Sequence, residues 1–470
     1  MWKKTTFLGI VFLGITRTIC AQSFTSGVQL NDHPYKQLPL RVQNATRGQV
    51  ALPISASLKP YAPQAGNQGD LATCLAWASA YALTIQEARA QSITDPTLVQ
   101  TLFYSPAYLY YHIKENQDAN CKNGADFAKA MSQIQQAGLL RNSDFNTNCA
   151  NTIPNELKIK AFKGITPMFN RLTEPRMKQG LSIRKALAEG NPVIVAVCSL
   201  DTASNLGHAL CVVGYDDKKD GGAFEVLNSI GTHFGTDGYV WMTYKAFEKR
   251  VVYAVEVPPL LQLPPLPPAT LAKMTAKPVS NLNSFQSNVK WVDLKQQKIV
   301  LNPMLSPQNQ KSKITAYYKA VKAVQKGANY QILVDNEVPA YVYIFSFDSR
   351  KVVDLLFPHA ETISPYLGKR SAITLPSENE TFYFDDNKGM DYCCILWSKS
   401  PLNMKDLKYK LETTAQNGSD FILCLEKVLG EKLATISNHA IQYDAVSGSL
   451  KLNIESKSTV AAMIVAFDHQ

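Results

Sequence analysis

The chain has 470 residues, 46% hydrophobic and 18% charged, a balance that excludes a wholly disordered or collagen-like chain and is long enough for two or three domains. Its net charge of +10 is spread without a lysine- or arginine-dense block, so no nucleic-acid partner is indicated.

The start, MWKKTTFLGIVFLGITRTICAQSF, places Lys3 and Lys4 ahead of an apolar run from Phe7 to Ile15 and ends it near Cys20 and Ala21. That is the three-part pattern of a secretory signal, predicted to occupy residues 1–21 and to be cut before Gln22. Its removal takes Lys3, Lys4 and Arg17 away and leaves about +7. The run is too short to span a bilayer, and Ile19 fits poorly ahead of a lipid-modified cysteine. The expectation is an exported protein, periplasmic or extracellular, with no membrane span.

Residues 22–57 read as a polar leader with few periodic signals. A helix follows around Cys74, then SPAYLYYHIKEN, then GADFAKAMSQIQQAGL with Gly138 as its stop, then SIRKALAEGN, all with helical spacing of apolar residues. From PVIVAVCSL onward the pattern changes to β-branched and aromatic runs broken by Gly and Asp: HALCVVGYDD, AFEVLNSI and GYVWMTY. Helices first and strands later predict an α+β unit over residues 58–256, with a cleft between the two parts. Residues 257–280 hold seven prolines and read as a stiff linker through which neither helix nor sheet runs. Residues 281–470 contain strand-like runs such as NYQILVDN, AYVYIFSFD and YCCILWS, and two helices, LNMKDLKYKLETTA and DFILCLEKVLG. A β-sandwich-like domain carrying helices is the expectation.

The nine cysteines are irregularly spaced. Cys121 and Cys149 flank one helical stretch in loop-like sequence and are the pair expected to form a disulfide. Cys198, Cys211, Cys393 and Cys394 sit in apolar runs and read as buried small hydrophobes. His33, His112, His359, His439 and His469 show no metal-type spacing, so no metal and no cofactor are predicted; His233, in the loop after Asn228, could line the cleft but reads first as a solvated loop histidine.

Cys74 stands in NQGDLATCLAWASAYAL, where Thr73 or Asp70 is placed to cap the helix that follows. A thiol in a first turn meets unpaired N–H groups that favour the thiolate, the nucleophilic form. Alone, such a cysteine reads first as an inert, packed helix residue. His208 in LGHALCVVGYDD stands at the entrance of a strand, and Asn228 in FEVLNSIGTHFGTDGYVWM stands at the end of another. An imidazole there serves as base, and an amide oxygen fixes its ring. Gln68 carries an NH2 group suited, with the Cys74 backbone N–H, to the oxygen of an attacked carbonyl.

These stretches together resemble the papain family of cysteine peptidases. NQGxxxxC, GHALxVVGYD and NSxGxxxGxxGY occur in the family's order, and SPAYLYY and CKNGADFAKAM are similar to its second helical segment. The resemblance covers residues 58 to about 256. It implies a papain-like fold with Cys74 as nucleophile, His208 as base and then acid, Asn228 as orienter and Gln68 in the oxyanion hole, acting on a peptide or protein substrate. The chain departs from the family pattern at Leu71, where a cysteine is usual, at Leu75, and at Ile230 and Phe234, where tryptophans are usual. Ile230 is therefore expected to weaken the shielding of the Asn228–His208 contact. The leader is too short for the family's helical propeptide, so partial inhibition or none is expected. The same residues also leave open an acyl transferase, a side-chain amidase, or a non-catalytic binding protein on the same scaffold. The catalytic readings require sulfur, imidazole and amides to meet in one solvent-reachable groove.

The second unit, through AYVYIFSFDSRKVVDLLFPH, ITLP and DDNKGMDYCCILWSKSPL, is similar to a bacterial accessory domain of unassigned function. It is read as a β-domain that binds a protein or surface partner.

Overall fold

The computed structural model describes residues 27–42, 51–173, 180–198, 206–273, 284–306, 312–416, 420–437 and 439–470, except 294 and 296. The signal segment and Cys20 lie outside the described residues.

The leader is not the featureless stretch its composition suggests. It contributes β1 (Val28–Gln29), α1 (Asp32–Gln37) and β2 (Ser55–Ser57). A six-residue helix has little stability of its own, and α1 is held by one aromatic anchor. Tyr35 stacks on Tyr253 at a centroid distance of 4.0 Å and meets Phe127 edge-on. Its hydroxyl donates to the Ala254 carbonyl and accepts from the Ala254 N–H, each at 3.0 Å.

The helical part comprises α2 (Cys74–Ala90), α3 (Pro96–Leu102), α4 (Pro106–Ile113), β3 (Ala125–Asp126), α5 (Phe127–Ala137) and α6 (Asn155–Lys160). Fourteen of the 17 residues of α2 are buried, as befits a helix that is apolar or small on every face. Its one buried acid, Glu87, receives both terminal nitrogens of Arg141 at 2.5 and 2.6 Å and the Tyr104 hydroxyl. The side-chain cap expected for α2 is absent. Thr73 occupies the cap position without a capping hydrogen bond, and the helix begins at Cys74 itself. Caps do form where Asp95 and Ser105 precede α3 and α4, and α5 ends at Gly138 with φ 80°, a conformation that suits glycine.

The strand part holds β4 (Asn170–Arg171), α7 (Leu181–Ala188), β5 (Val193–Cys198), β6 (Leu206–Asp216), β7 (Ala223–Leu227), β8 (Tyr239–Thr243), α8 (Tyr244–Arg250) and β9 (Val251–Glu256). A nine-stranded sheet runs β3-β1-β6-β5-β9-β4, with β2, and then β7 and β8, branching from β6. β1 joins the two parts. Val28 pairs in parallel with Ala125 and antiparallel with Gly207. α2 lies against β6, which brings a helix N-terminus and a strand entrance to one place.

The proline-rich stretch differs from its reading as a helix-free spacer. Val257 and Leu260 enter the first core, and one helical turn, α9 (Pro268–Leu271), forms within it. Pro268 opens that turn, where a missing N–H breaks no intrahelical bond.

The second unit comprises β10 (Ser284–Asp293), β11 (Leu301–Leu305), β12 (Ala316–Ala320), β13 (Asn329–Asn336), β14 (Ala340–Phe347), β15 (Val353–Phe357), β16 (Tyr366–Leu367), β17 (Ser371–Leu375), β18 (Phe382–Tyr383), β19 (Gly389–Ser398), α10 (Met404–Gln416), α11 (Phe421–Leu429), β20 (Ile441–Asp444), β21 (Ser449–Glu455) and β22 (Val460–His469). Six strands form one sheet and seven another, and Trp291, Ile332, Trp397 and Val465 belong to their shared core. The two helices fall where their periodicity places them. Cys393 and Cys394 are buried in β19, as their apolar surroundings suggest.

Candidate active site

The elements converge at Cys74. It opens α2, and the strand entrance of β6 brings His208 beside it. The Ala209 N–H lies 3.4 Å from the sulfur, and the His208 side chain hydrogen-bonds to the thiol. On the other side of the ring, His208 Nε2 lies 2.9 Å from Asn228 Oδ1. That amide oxygen also accepts the Ser229 N–H at 2.8 Å, which leaves it oriented toward the ring. Asn228 follows the last residue of β7, so strand geometry positions it as it positions His208.

Burial by itself raises the Cys74 thiol pKa. The charge of His208, its hydrogen bond and the backbone N–H groups of Ala209 and Gly27 outweigh that penalty, and the thiol lies below its ordinary value. Cys211, equally buried but without such partners, is pushed upward. The contrast sets a thiol with polar partners apart from one packed as a small hydrophobe. A thiolate beside an imidazolium whose ring is fixed by an amide is equipped for nucleophilic attack followed by proton transfer.

Gln68 sits on a loop laced to the Asn228 loop. Its N–H donates to the Ser229 carbonyl at 2.8 Å, the Gly231 N–H donates to the Gly66 carbonyl at 2.9 Å, and Ser229 Oγ donates to Gln68 Oε1 at 2.5 Å. Those bonds leave the Gln68 NH2 as the group to present. One of its hydrogens is taken by the Leu71 carbonyl at 2.7 Å. Beside Gln68 a recess of about 220 Å³ opens between Trp77, Pro106, Asn142 and Asn148. Cys121 and Cys149 are joined as a disulfide, which ties the loop before β3 to the 141–151 segment. His233 is exposed, its ring folded over Gly231.

Two expectations change. The Asn228–His208 contact is buried, at 3% and 5% exposure, although residue 230 is an isoleucine. And the sulfur is not solvent-reachable: Cys74 has no exposed surface. The cover is the leader. A methyl group added at Gly27 would lie 2.9 Å from the Cys74 sulfur and 2.4 Å from the Ala72 carbonyl oxygen, so only glycine passes there. The Gly27 N–H donates to the Gly207 carbonyl and its carbonyl accepts the Ala125 N–H, each at 3.0 Å. Gly124, at φ +73°, makes the matching close approach from the other wall. Sequence reasoning did not single out Gly27 or Ser229. Ser229 adjoins Asn228 in the NS pair and was findable, whereas a lone glycine in a polar leader carries no local signal.

The model of the papain family cysteine proteases matches residues 63–255, and that of a domain of unknown function matches residues 323–401. No curated protein matches the chain. Among solved structures, the bromelain protease of Ananas comosus is 16% identical, covering 44% of this chain and 99% of its own, with a TM-score of 0.35. The Amb a 11 cysteine protease, a ragweed pollen allergen in its proform, is 16% identical over 45% and 68% at 0.36. The clostridial cysteine protease Cwp84 after propeptide cleavage is 14% identical over 68% and 79% at 0.36. Residues 63–255 are thus a domain of the papain family of cysteine proteases, followed in the same chain by a second domain of unknown function.

Proposed function

We propose that the chain is an exported cysteine peptidase that hydrolyses peptide bonds, with Cys74 as nucleophile, His208 as general base and acid, Asn228 as the residue that positions His208, and Gln68 as oxyanion donor. The reading is carried by one observation: the Cys74 thiol lies below its ordinary pKa in full burial because His208 faces it, with Asn228 on the far side of the ring.

The Cys74 thiolate attacks the substrate carbonyl carbon, and the developing oxyanion is met by the Gln68 NH2 and the Cys74 N–H. Collapse breaks the C–N bond as the His208 imidazolium gives its proton to the leaving amine, and a thioester remains. Water then gives a proton to the neutral imidazole as it attacks the thioester. The acid leaves, and the thiolate–imidazolium pair is restored. The recess beside Gln68 offers room for part of the substrate. Substrate entry requires the leader strand to leave the cleft, so the described form is a closed one.

The test is hydrolysis of a mixed peptide library followed by mass spectrometry, with Cys74→Ala as control. Cleavage that disappears in Cys74→Ala supports the assignment, and cleavage that persists rules it out. Adding an amine acceptor distinguishes hydrolysis from acyl transfer by the product formed.

A further inference from the structure

We propose that the C-terminal unit is the latch that keeps the leader strand in the cleft over Cys74. The inference rests on the reading of Cys74 as the reactive residue and gives the second unit a role in governing access to it.

Besides the Tyr35 anchor on Tyr253 and Ala254, the leader has two attachments. The first is at the sulfur, through Gly27 and Val28. There Gly27 passes so close that an added methyl group would lie 2.9 Å from the sulfur, while its N–H is donated to Gly207 and its carbonyl is engaged by Ala125. Bonded to Gly207 on one side and Ala125 on the other, the strand works as a strap over the sulfur.

The second attachment is at residues 39–41, and here the second unit supplies half of the bonds. The Leu40 N–H donates to the Thr362 carbonyl at 2.7 Å, and the Ser364 N–H donates to the Leu40 carbonyl at 2.8 Å. On the opposite side, the Arg171 N–H donates to the Pro39 carbonyl at 2.7 Å, and the Arg41 N–H to the Arg171 carbonyl at 2.9 Å. The leader is therefore one strand wide between the two units, and neither unit alone completes its hydrogen bonding.

The side chains at this joint form a single buried polar cluster. Arg41 pairs with Glu256 at the end of β9 and with Glu189 after α7. Asn170 donates to Glu256 at 3.0 Å and accepts from Ser364 Oγ at 2.7 Å, and Ser371 donates to Glu189 at 3.2 Å. Asn170, Glu256 and Ser364 have no exposed surface. Charges so enclosed hold together only while every partner is in place. Displacing the second unit removes Thr362, Ser364 and Ser371 at once, which takes away half of the main-chain bonds at residues 39–41 and leaves β1, the Tyr35 anchor and Arg171 to hold the strap. A protein or surface that binds the second unit and shifts it would thereby open the cleft.

The experiment uses the full chain and reads two signals: the alkylation rate of Cys74 by iodoacetamide, located by mass spectrometry, and amide hydrogen exchange over residues 27–42. Arg41→Ala and the milder double variant Ser364→Ala with Ser371→Ala loosen the far anchor without touching the cleft. Both are expected to speed alkylation, Arg41→Ala by tenfold or more, and to speed exchange at residues 27–30. Gly27→Ala lifts the strand directly, because its methyl group meets the sulfur, and is expected to speed alkylation while residues 39–41 stay protected. Wild-type alkylation and exchange in the double variant, beside faster alkylation in Gly27→Ala, would overturn the latch and leave the reactive cysteine standing. A Gly27→Ala chain that opens by exchange yet is not alkylated at Cys74 would overturn the reactive cysteine, and the latch with it.

Discussion

His208 Nε2 faces Asn228 Oδ1 at 2.9 Å in a contact sealed from solvent although an isoleucine stands at 230. The amide oxygen thus holds the ring with its other nitrogen toward Cys74 without help from an indole. Asn228→Ala removes the constraint and lets the ring turn. The expected result is a loss of about 10²-fold in kcat on a fluorogenic peptide with KM little changed, the scale of mispositioned acid–base catalysis. The assay is made in the Gly27→Ala background so that access does not limit the rate.

The acidity of Cys74 gives a pH dependence of definite sign. Burial raises the thiol pKa, and His208 with the backbone donors brings it below its ordinary 9.0. In the Gly27→Ala chain, alkylation should therefore stay fast below pH 9 and fall only as pH drops through the lowered value. In Gly27→Ala with His208→Ala, the charge and hydrogen bond that lower the thiol are gone. The alkylation profile should move to higher pH, and an unmoved profile would contradict the pairing.

Gln68→Ala removes a donor held in place by Ser229 Oγ. Loss of one oxyanion donor costs about 10²–10³-fold in kcat. Ser229→Ala, which leaves the amide present but unsteadied, should cost less, and the ratio of the two measured by steady-state kinetics checks that order.

Glu87, fully buried in the helix that carries Cys74, is the sole carboxylate on Arg141 among the described ion pairs. Glu87→Gln strands a buried guanidinium, and breaking such a pair costs about 3–5 kcal/mol. Denaturant unfolding of the first unit should shift by that amount.

The disulfide between Cys121 and Cys149 closes a loop with a sequence separation of 28. Cys149→Ser should lower stability by about 3 kcal/mol through the freer unfolded chain. It should also speed hydrogen exchange at Ala125, whose N–H bonds Gly27.

The first unit was legible because its fold and candidate site are tied to local patterns. The helix that opens at Cys74 and the strands that present His208 and Asn228 each announce themselves by periodicity, and their spacing agrees with one family. The leader was not legible. Its hold on the cleft depends on Gly27 having no side chain and on Leu40 pairing with Thr362 and Ser364 more than 300 positions away, and neither leaves a period in the sequence. Strand β10 was missed for a related reason. Phe285, Val289 and Trp291 alternate into the core, but Gln286, Asn288 and Lys290 between them dilute the apolar signal. The missing cap on α2 shows the same limit: packing on every face holds that helix, so Thr73 need not bond its first turn.

The most direct measurement is labelling by a thiol-reactive peptide epoxide in the Gly27→Ala chain, read by mass spectrometry alongside peptide hydrolysis. A single adduct on Cys74, with hydrolysis lost in step with its formation and absent when Cys74 is replaced by alanine, is the predicted result. Hydrolysis that survives full labelling, or an adduct that forms only on another cysteine, would contradict it.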